Sequence, residues 1–377
     1  MRERFVLPAR AYLCGHSLGP MPCAVPDFLR EELEAWQQLG VVAHFRAPRP
    51  WMHYHTFARE PLARLVGALP HEVVSMNGLT TNLHLLLASF YTGRAGIVLD
   101  TPTFPSDRYA LQTHLAHRGR DPHTHLHAVA SLDELDALLA TGNVELALLA
   151  GVNFLTGAVL DIPRAVALCR RHGVTLGLDL AHAVGNVPLA LHDAEIDFAV
   201  WCSYKYLNAG PGAVAGAFVH ERHARDTALP RLGGWWGNDP ATRFRMHLEP
   251  DFVPVPSADG WQLSNPPVLA LAPLLASLEL FEAVGMHALR ERSLALSEHF
   301  LTRLPEGVTL LSPRELERRG NMVCLRVPGG AEAHARLEAA GIVCDFRPPD
   351  VIRAAFCPLY NNEEDIDLFL RALHDEH

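Results

Sequence analysis

The segment from Val174 to His220 constrains the fold most strongly, because three short apolar runs follow one another within it. These runs (Val174–Leu178, Ile196–Trp201 and Ala213–Val219) are rich in β-branched and aromatic residues. Gly, Pro, Asn and Asp flank them, as is typical of buried strands. Asp179 follows the first run, and Lys205 follows the second within Ser203–Tyr206. The pattern therefore predicts an acid and a lysine at neighbouring strand ends, where open α/β sheets bind ligands.

Alternating strand and helix patterns also precede this segment. The predicted strands are Val73–Met76, Ile97–Asp100, His123–Val129 and Val144–Ala150, and the predicted helices include Leu83–Tyr91, Leu132–Leu139 and Asp161–His172. Such alternation indicates an α/β fold with a mostly parallel sheet and helices on both faces.

The pattern changes after Trp261. A long helix, Leu269 to about Leu304, bent near Pro273 and Gly285, precedes short strands and helices that predict a smaller α+β domain. We expect an N-terminal segment (1–45) that packs with this small domain, a large domain (46–262) and the small domain itself (263–377).

Composition excludes several classes of protein. The chain has 377 residues and a net charge of −10, which argues against a nucleic-acid or anionic-membrane partner. Its apolar stretches are shorter than a membrane span, and MRERFVLPAR lacks the apolar core of a signal peptide. Seven cysteines without a C-x-x-C pair indicate no disulfide framework and suit a cytoplasmic protein.

A metal site is not expected from the histidines. His123, His125 and His127 alternate, which is typical of one face of a strand. No carboxylate or cysteine joins them at ligand spacing.

Asp179 and Lys205 have two interpretations. Asp179 can cap the next helix while Lys205 reaches solvent, as most charged residues do. Alternatively, the pair suits pyridoxal phosphate (PLP), which needs a lysine to hold it as a Schiff base and an acid to keep its pyridine nitrogen protonated. The apolar, Gly-flanked segment around Lys205 favours the second interpretation.

Other segments offer groups for the same cofactor. In Asn77–Asn82, Thr80 or Thr81 is an ordinary N-cap or a phosphate ligand at a helix N-terminus. Phe104 either covers a cofactor ring or packs as a hydrophobic staple. Trp235 lies in a Gly-flanked loop, and Arg353 is either a surface residue or a carboxylate clamp.

Taken together, these motifs resemble the kynureninase family over nearly the whole chain. The similar segments are WCSYKYLNAGPG, DLAHAVGN, NGLTTNLH, TFPSDRYA, FRMHLEP, LSNPP and IRAAFCPLYN. The resemblance implies the PLP-dependent transferase fold type I, a homodimer, and hydrolytic Cβ–Cγ cleavage of L-kynurenine or 3-hydroxy-L-kynurenine. The products would be an anthranilate and L-alanine.

The resemblance also implies roles for individual residues. Lys205 would bind the PLP aldehyde, Asp179 would pair with the pyridine nitrogen, and Tyr204 would contact the cofactor. From the chemistry of a phenol, we also expect Tyr204 to protonate or orient the alanyl carbon. The other implied cofactor contacts are Leu79, Thr80, Phe104, Pro105, Ser106, Asp107, His182, Trp235 and Asn265. The implied substrate contacts are Ser17, His44, Ser264, Asn265 and Arg353, with Arg353 on the α-carboxylate. Trp235 or Asn265 would act across the dimer interface.

Two positions depart from the family pattern, and two alternative functions stay open. His16 stands where asparagine is usual, and Ala150 where a small hydroxyl residue is expected near the phosphate. Polar His44 and Asn265 favour 3-hydroxykynurenine, because they can hydrogen-bond a ring hydroxyl. The alternatives are another fold type I lyase, such as a cysteine desulfurase using Cys324, Cys344 or Cys357, and a catalytically silent PLP-binding protein.

Overall fold

A computed structural model describes residues 1–374. The strands are β1 (Phe5–Val6), β2 (Ala11–Tyr12), β3 (Met21–Pro22), β4 (Val73–Ser75), β5 (Gly96–Asp100), β6 (Leu126–Val129), β7 (Val144–Ala150), β8 (Thr175–Asp179), β9 (Phe198–Trp201), β10 (Gly216–Val219), β11 (Thr309–Leu310), β12 (Met322–Arg326), β13 (Ile342–Val343), β14 (Asp345–Arg347) and β15 (Val351–Ala355).

The α-helices lie mostly between these strands. They are α1 (Val25–Leu39), α2 (Ala43–Arg46), α3 (Arg59–Val66), α4 (Leu79–Phe90), α5 (Pro105–His117), α6 (Pro122–His125), α7 (Leu132–Leu139), α8 (Ile162–Arg171), α9 (Glu221–Ala224), α10 (Val268–Val284), α11 (Met286–Leu301), α12 (Gly330–Ala339) and α13 (Glu363–His374).

Seven strands form the large sheet, in the order β4-β10-β9-β8-β7-β5-β6. Strand β10 is antiparallel to both of its neighbours, and the other pairs are parallel, which confirms the predicted mostly parallel sheet. Because β4 and β9 both oppose β10, they run in the same direction. The carboxyl ends of β4, β5, β7, β8 and β9 therefore meet at one edge of the sheet.

The central strands are mostly apolar, as expected for a sheet covered on both faces. Strands β9 and β10 are buried throughout, and two separate hydrophobic clusters cover the two faces of the sheet. Gly177 on β8 is needed for this packing, because a Cβ atom there would lie 2.2 Å from the Phe198 ring.

The second sheet has four antiparallel strands in the order β11-β12-β15-β14, and helices α11, α12 and α13 contribute to its separate core. Strand β2 pairs in parallel with β13 and so joins the N-terminal segment to this part of the chain. These contacts fit the division into segments 1–45, 46–262 and 263–377, which we retain as a proposal.

The structure corrects several sequence predictions. Helix α4 begins at Leu79 with Gly78 as its N-cap, so Thr80 and Thr81 lie in its first turn and neither caps it. The predicted strand His123–Val129 is half helical, because Pro122 and the Asp121 cap start a helical turn. His123 and His125 therefore do not share a strand face with His127.

The predicted long helix is divided at Gly285, whose φ of 81° ends α10. Within residues 1–374, no single helix is long and apolar enough to cross a membrane. Helices α10 and α11 meet that criterion only when taken together, and an angle of 81° separates them.

Candidate active site

A cavity lies at the carboxyl edge of the large sheet, where the predicted lysine and acid meet. Lys205 lies in the turn after β9, and Asp179 is the last residue of β8. Both side chains are buried, with 8 % of each residue exposed. Lys205 is the only lysine of the chain. A buried lone lysine rules out the interpretation in which it merely reaches solvent.

The loop after β8 fixes the groups around Lys205. One Asp179 carboxylate oxygen accepts a hydrogen bond from the Ala181 backbone amide at 2.8 Å. Nε2 of His182 lies 3.0 Å from Nζ of Lys205. Burial, and then the Lys205 charge, lower the pKa of His182 well below its ordinary value. His182 is therefore neutral and can accept a hydrogen bond from the Lys205 ammonium.

Two helix N-termini face the same cavity. Thr80 lies in the first turn of α4 and Ser106 in the first turn of α5, and their hydroxyl oxygens are 2.9 Å apart. The unpaired backbone amides of a helix N-terminus and hydroxyl donors together form a binding site for a phosphate dianion. Thr80, Ser106 and Lys205 line the same cavity.

Two more carboxyl groups, those of Asp107 and Asp100, lie close to Asp179. Burial, and then the nearby Asp179 charge, raise the pKa of Asp107 well above its ordinary value. Asp100, at the end of β5, has a pKa raised to about 6, again mainly by burial. Both shifts favour the protonated form of these two carboxyl groups, as expected for buried carboxyl groups close to another carboxylate.

Aromatic side chains form the outer wall. The Phe104 ring centroid is 5.6 Å from Nζ of Lys205, and Phe104 is 42 % exposed. Phe154 packs edge-on against Phe104 with ring centroids 5.5 Å apart. A flat heterocycle can stack between Phe104 and the sheet edge.

The N-terminal segment closes the opposite side of the Lys205 turn. The Gly19 amide donates to the Tyr204 carbonyl at 2.8 Å. A Cβ atom at Gly19 would lie 2.4 Å from the Lys205 carbonyl oxygen, so only glycine permits this close approach. His16 is thereby buried near Lys205, and burial lowers the pKa of His16 to about 4.

The structure brings most of the predicted cofactor residues together. Those that line the cavity are Leu79, Thr80, Phe104, Ser106, Asp107, Asp179, His182, Tyr204 and Lys205. Pro105 is the first residue of α5 between two of them. Ala150, the departure from the family pattern, also lines the cavity.

Other predicted residues lie outside this cavity in the protomer. Ser17, Ser264 and Asn265 are exposed, Trp235 is 38 % exposed, and His44 hydrogen-bonds the Val41 carbonyl. Arg353 is buried and pairs with Asp345.

The sequence analysis did not identify Asp345, Phe154 and Cys202, which lie at or near the cavity. The sequence DFRPPDVIR is typical of a hairpin, because a Pro-rich turn joins two short runs. That pattern could have predicted that the strand of Asp345 pairs with the strand of Arg353.

The cysteines do not support desulfurase chemistry. Cys324, Cys344 and Cys357 are all buried, and burial raises their pKa values to about 11, 12 and 12. A nucleophilic cysteine needs an accessible thiolate, which none of these three provides.

A group of potential metal ligands occurs at the opposite edge of the sheet. Glu72, His192 and His220 lie close together there. Both Glu72 carboxylate oxygens already accept backbone amides, from Leu69 and Glu221, and the His220 ring caps Arg222. Glu72 and His220 thus act as local caps of the backbone, and the His192 ring hydrogen-bonds the Glu72 carboxylate.

Solved structures share this architecture. A mutant of C-DES with glycine covalently linked to its PLP cofactor superimposes with a TM-score of 0.81 at 20% identity, covering 99% of both chains. The cysteine desulfurase CsdA of Escherichia coli gives a TM-score of 0.79 at 18% identity, covering 98% of this chain and 96% of that one. At such identities the likeness shows the fold alone. That fold is fold type I of the PLP-dependent enzymes, and the buried Lys205 and Asp179 lie at the carboxyl edge of its large sheet.

Proteins of similar sequence show which family within this fold class the chain belongs to. A kynureninase of Xanthomonas oryzae pv. oryzae is 49% identical over 98% of this chain and 93% of its own length. One from Xanthomonas campestris pv. campestris is 48% identical, over 96% and 91%. Residues 289–373 match the family described as the kynureninase C-terminal domain. The chain belongs to the kynureninase family.

Proposed function

We propose that this protein hydrolyses the Cβ–Cγ bond of L-kynurenine, 3-hydroxy-L-kynurenine or both, and releases the corresponding anthranilate and L-alanine. The observation that carries the proposal is the sole lysine of the chain, buried 3.0 Å from a neutral His182, in a chain 49% identical to a kynureninase.

The donor set of the cavity fits PLP. Lys205 would hold the aldehyde carbon, Asp179 the ring nitrogen, and Thr80 and Ser106 the phosphate. Nδ1 of His182 is buried and has no hydrogen-bond partner among residues 1–374, which leaves it available to a bound group. Leu79, Phe104, Pro105 and Asp107 would complete the contacts around the ring and phosphate.

The bound cofactor supplies an electron sink that stabilises negative charge on the adjacent substrate carbon. Lys205 Nζ takes the proton from the substrate Cα, and the neutral His182 ring accepts a hydrogen bond from the same nitrogen. The Asp179 carboxylate maintains the positive charge at the ring nitrogen. The side-chain ketone of the substrate then accepts water, which leads to scission of the Cβ–Cγ bond.

Tyr204 is suited to donate a proton to the alanyl carbon. Its ring lines the cavity, and burial raises its pKa above the ordinary value. The hydroxyl therefore keeps its proton at neutral pH and can act as an acid.

We propose that Arg353 binds the substrate α-carboxylate and that Ser17, His44, Ser264 and Asn265 border the aryl group. His44 and Asn265 favour a 3-hydroxyl on that ring. Asn265 and Trp235 lie exposed on the protomer, which is consistent with action in the site of a second subunit.

A homodimer agrees with the apolar surface of the protomer. Leu33, Trp36, Val41, Phe45 and Phe244, which we call the apolar patch, are all 49 % or more exposed. Phe45 and Phe244 contact each other, with ring centroids 6.0 Å apart. Exposed apolar side chains grouped in this way mark an interaction surface, and we assign it to a second copy of the chain.

A cytoplasmic location, without nucleic-acid or membrane partners, is consistent with the net charge of −10 and the seven free cysteines.

Borohydride reduction of the PLP-loaded protein tests the cofactor assignment. Because the chain has one lysine, reduction should fix the cofactor to the peptide that contains Lys205 and to no other, as mass spectrometry would show. Attachment to Met1, the other primary amine, or no attachment would contradict the assignment.

A further inference from the structure

The Arg353 guanidinium already donates three hydrogen bonds within the protein. Its Nε donates to Oδ2 of Asp345 at 2.7 Å, and Nη2 contacts the same oxygen. Its Nη1 donates to the Phe154 carbonyl at 2.5 Å. Only 2 % of Arg353 is exposed, so no edge of the guanidinium faces open space. An incoming carboxylate therefore meets an arginine that already has a carboxylate partner.

Asp345 lies on a strand that can move more easily than the strand of Arg353. It is directly opposite Arg353 in the register of β14 and β15. Strand β14 has three residues and is an edge strand, hydrogen-bonded only to β15, whereas β15 pairs on both sides. The Asp345 side chain is 19 % exposed, against 3 % for that of Arg353.

Two further groups can receive the Asp345 carboxylate. Nε of Arg347 lies 3.1 Å from the same Oδ2 atom, and the Arg347 side chain is half exposed. Nε2 of His16 lies 3.6 Å from that atom, and both His16 ring nitrogens are buried without hydrogen-bond partners in the part of the chain that the structure describes. A carboxylate that leaves Arg353 thus keeps a cationic partner, which lowers the cost of its displacement.

We propose that Asp345 is a resident competitor for the substrate carboxylate. In the free enzyme Asp345 neutralises the buried Arg353, and on substrate binding it shifts to Arg347 and yields the guanidinium. Asp345 would then determine how tightly any amino-acid carboxylate binds. This inference rests on the proposed role of Arg353 as the α-carboxylate anchor.

The mechanism follows from the cost of a buried unpaired charge. Without Asp345 the buried Arg353 would have no anionic partner until a ligand arrived. A ligand carboxylate would then form its charge-assisted, bidentate interaction with Arg353 without first displacing Asp345. In the wild type, the gain is only the difference between the interaction of Arg353 with the ligand and its interaction with Asp345. Removing the Asp345 charge should therefore tighten carboxylate binding.

The test titrates the PLP-loaded enzyme with L-alanine and with L-alaninamide, which lacks the carboxylate, and follows the visible absorbance of the bound cofactor. In Asp345→Asn we expect L-alanine to bind about tenfold more tightly, a typical effect of removing one charged competitor. Binding of L-alaninamide should not change. Unchanged or weaker L-alanine binding in a soluble, PLP-loaded Asp345→Asn protein would overturn the proposal.

Asp350→Asn is the matched control. Asp350 pairs with Arg326 at 3.3 Å in the same small domain and does not touch Arg353. Its replacement should leave both titrations unchanged. A gain in L-alanine affinity equal to that of Asp345→Asn would show a general charge effect and overturn the specific competition.

Arg347→Ala provides a second variant at a half-exposed position. Without Arg347 as an alternative partner, Asp345 should stay paired with Arg353, so L-alanine should bind several-fold more weakly. In the Asp345→Asn background the same replacement should have much less effect, because the two changes are coupled. Equal effects in both backgrounds would contradict the exchange of partners.

Arg353→Gln separates this inference from the proposed function. That variant should lose the preference for L-alanine over L-alaninamide. If the preference persists, the assignment of Arg353 itself fails. If the preference is lost while Asp345→Asn does not tighten binding, only the competition by Asp345 fails.

Discussion

Nζ of Lys205 and Nε2 of His182 lie 3.0 Å apart in a buried cavity, and the surroundings keep the imidazole neutral. A neutral ring accepts a hydrogen bond from the lysine and imposes no like charge on it. The pair thus combines a buried amine with a neighbour that can orient it. We propose that Asp179, at the end of the adjacent strand, pairs with the protonated nitrogen of the cofactor ring.

Replacing Asp179 with asparagine should lower kcat by about a hundredfold to a thousandfold, the usual loss when a preorganised charge at the reacting centre is removed. The phosphate contacts are untouched, so PLP content after gel filtration should stay close to that of the wild type. Asp193→Asn, at an exposed position in the same domain, should behave as the wild type. Full activity in Asp179→Asn would contradict the role of this carboxylate.

The hydroxyl pair should control cofactor affinity. Thr80→Ala and Ser106→Ala should each weaken PLP binding roughly tenfold to a hundredfold, because a hydrogen bond to a charged acceptor contributes about 1.5–3 kcal/mol. Equilibrium dialysis of the PLP-free protein measures this. Thr81→Ala is the control, since Thr81 is exposed one position further along the same helix turn. Equal losses for Thr80 and Thr81 would argue against a phosphate site.

Buried histidines should make the fold sensitive to acid. Burial is the main cause that lowers the pKa of both His16 and His55 to about 4. A histidine with an ordinary pKa near 6.5 in the unfolded chain takes up a proton there first. The stabilisation is therefore complete above about pH 6.5 and is lost as the pH falls through about 4.

Urea unfolding at several pH values measures this dependence. The free energy of unfolding should fall between about pH 6.5 and pH 4, and His55→Gln should make the decline shallower. His287→Gln, at an exposed position, should not alter the slope. A slope in His55→Gln equal to that of the wild type would exclude His55 as a contributor.

The apolar patch should hold two subunits together. Phe45→Glu introduces a charge beside Phe244 and should shift the protein from dimer to monomer in sedimentation velocity, because burying an unpaired charge is costly. Activity should fall with the dimer if Trp235 or Asn265 acts in the partner's site. A Phe45→Glu protein that remains dimeric would place the interface elsewhere.

Much of this site follows from residues that are local in the sequence. Asp179, Lys205 and Phe104 each lie at the junction after an apolar run, and the parallel sheet brings such junctions to one edge. Pairings between distant segments are different. Contact of Asp345 with Arg353 depends on the register of two short strands, one of them an edge strand, and hydrophobic periodicity does not determine that register.

Sequence patterns also gave wrong secondary-structure predictions where signals for two structures overlap. The alternation of His123, His125 and His127 suggested a strand, but Asp121 and Pro122 form a cap and first turn that start a helix instead. At the start of α4, Gly78 takes the N-cap position, which places the Thr80 hydroxyl inside the first turn, near Ser106. The predicted cap lay two or three residues too late in the chain, and the proposed role of Thr80 is unchanged.

The most direct measurement is the reaction of the PLP-loaded protein with L-kynurenine and with 3-hydroxy-L-kynurenine, followed by anthranilate fluorescence and by L-alanine analysis. We expect the anthranilate and L-alanine in equal amounts from at least one of the two substrates, and neither product from Lys205→Ala. A PLP-loaded wild-type protein that yields no anthranilate from either substrate would contradict the proposed function.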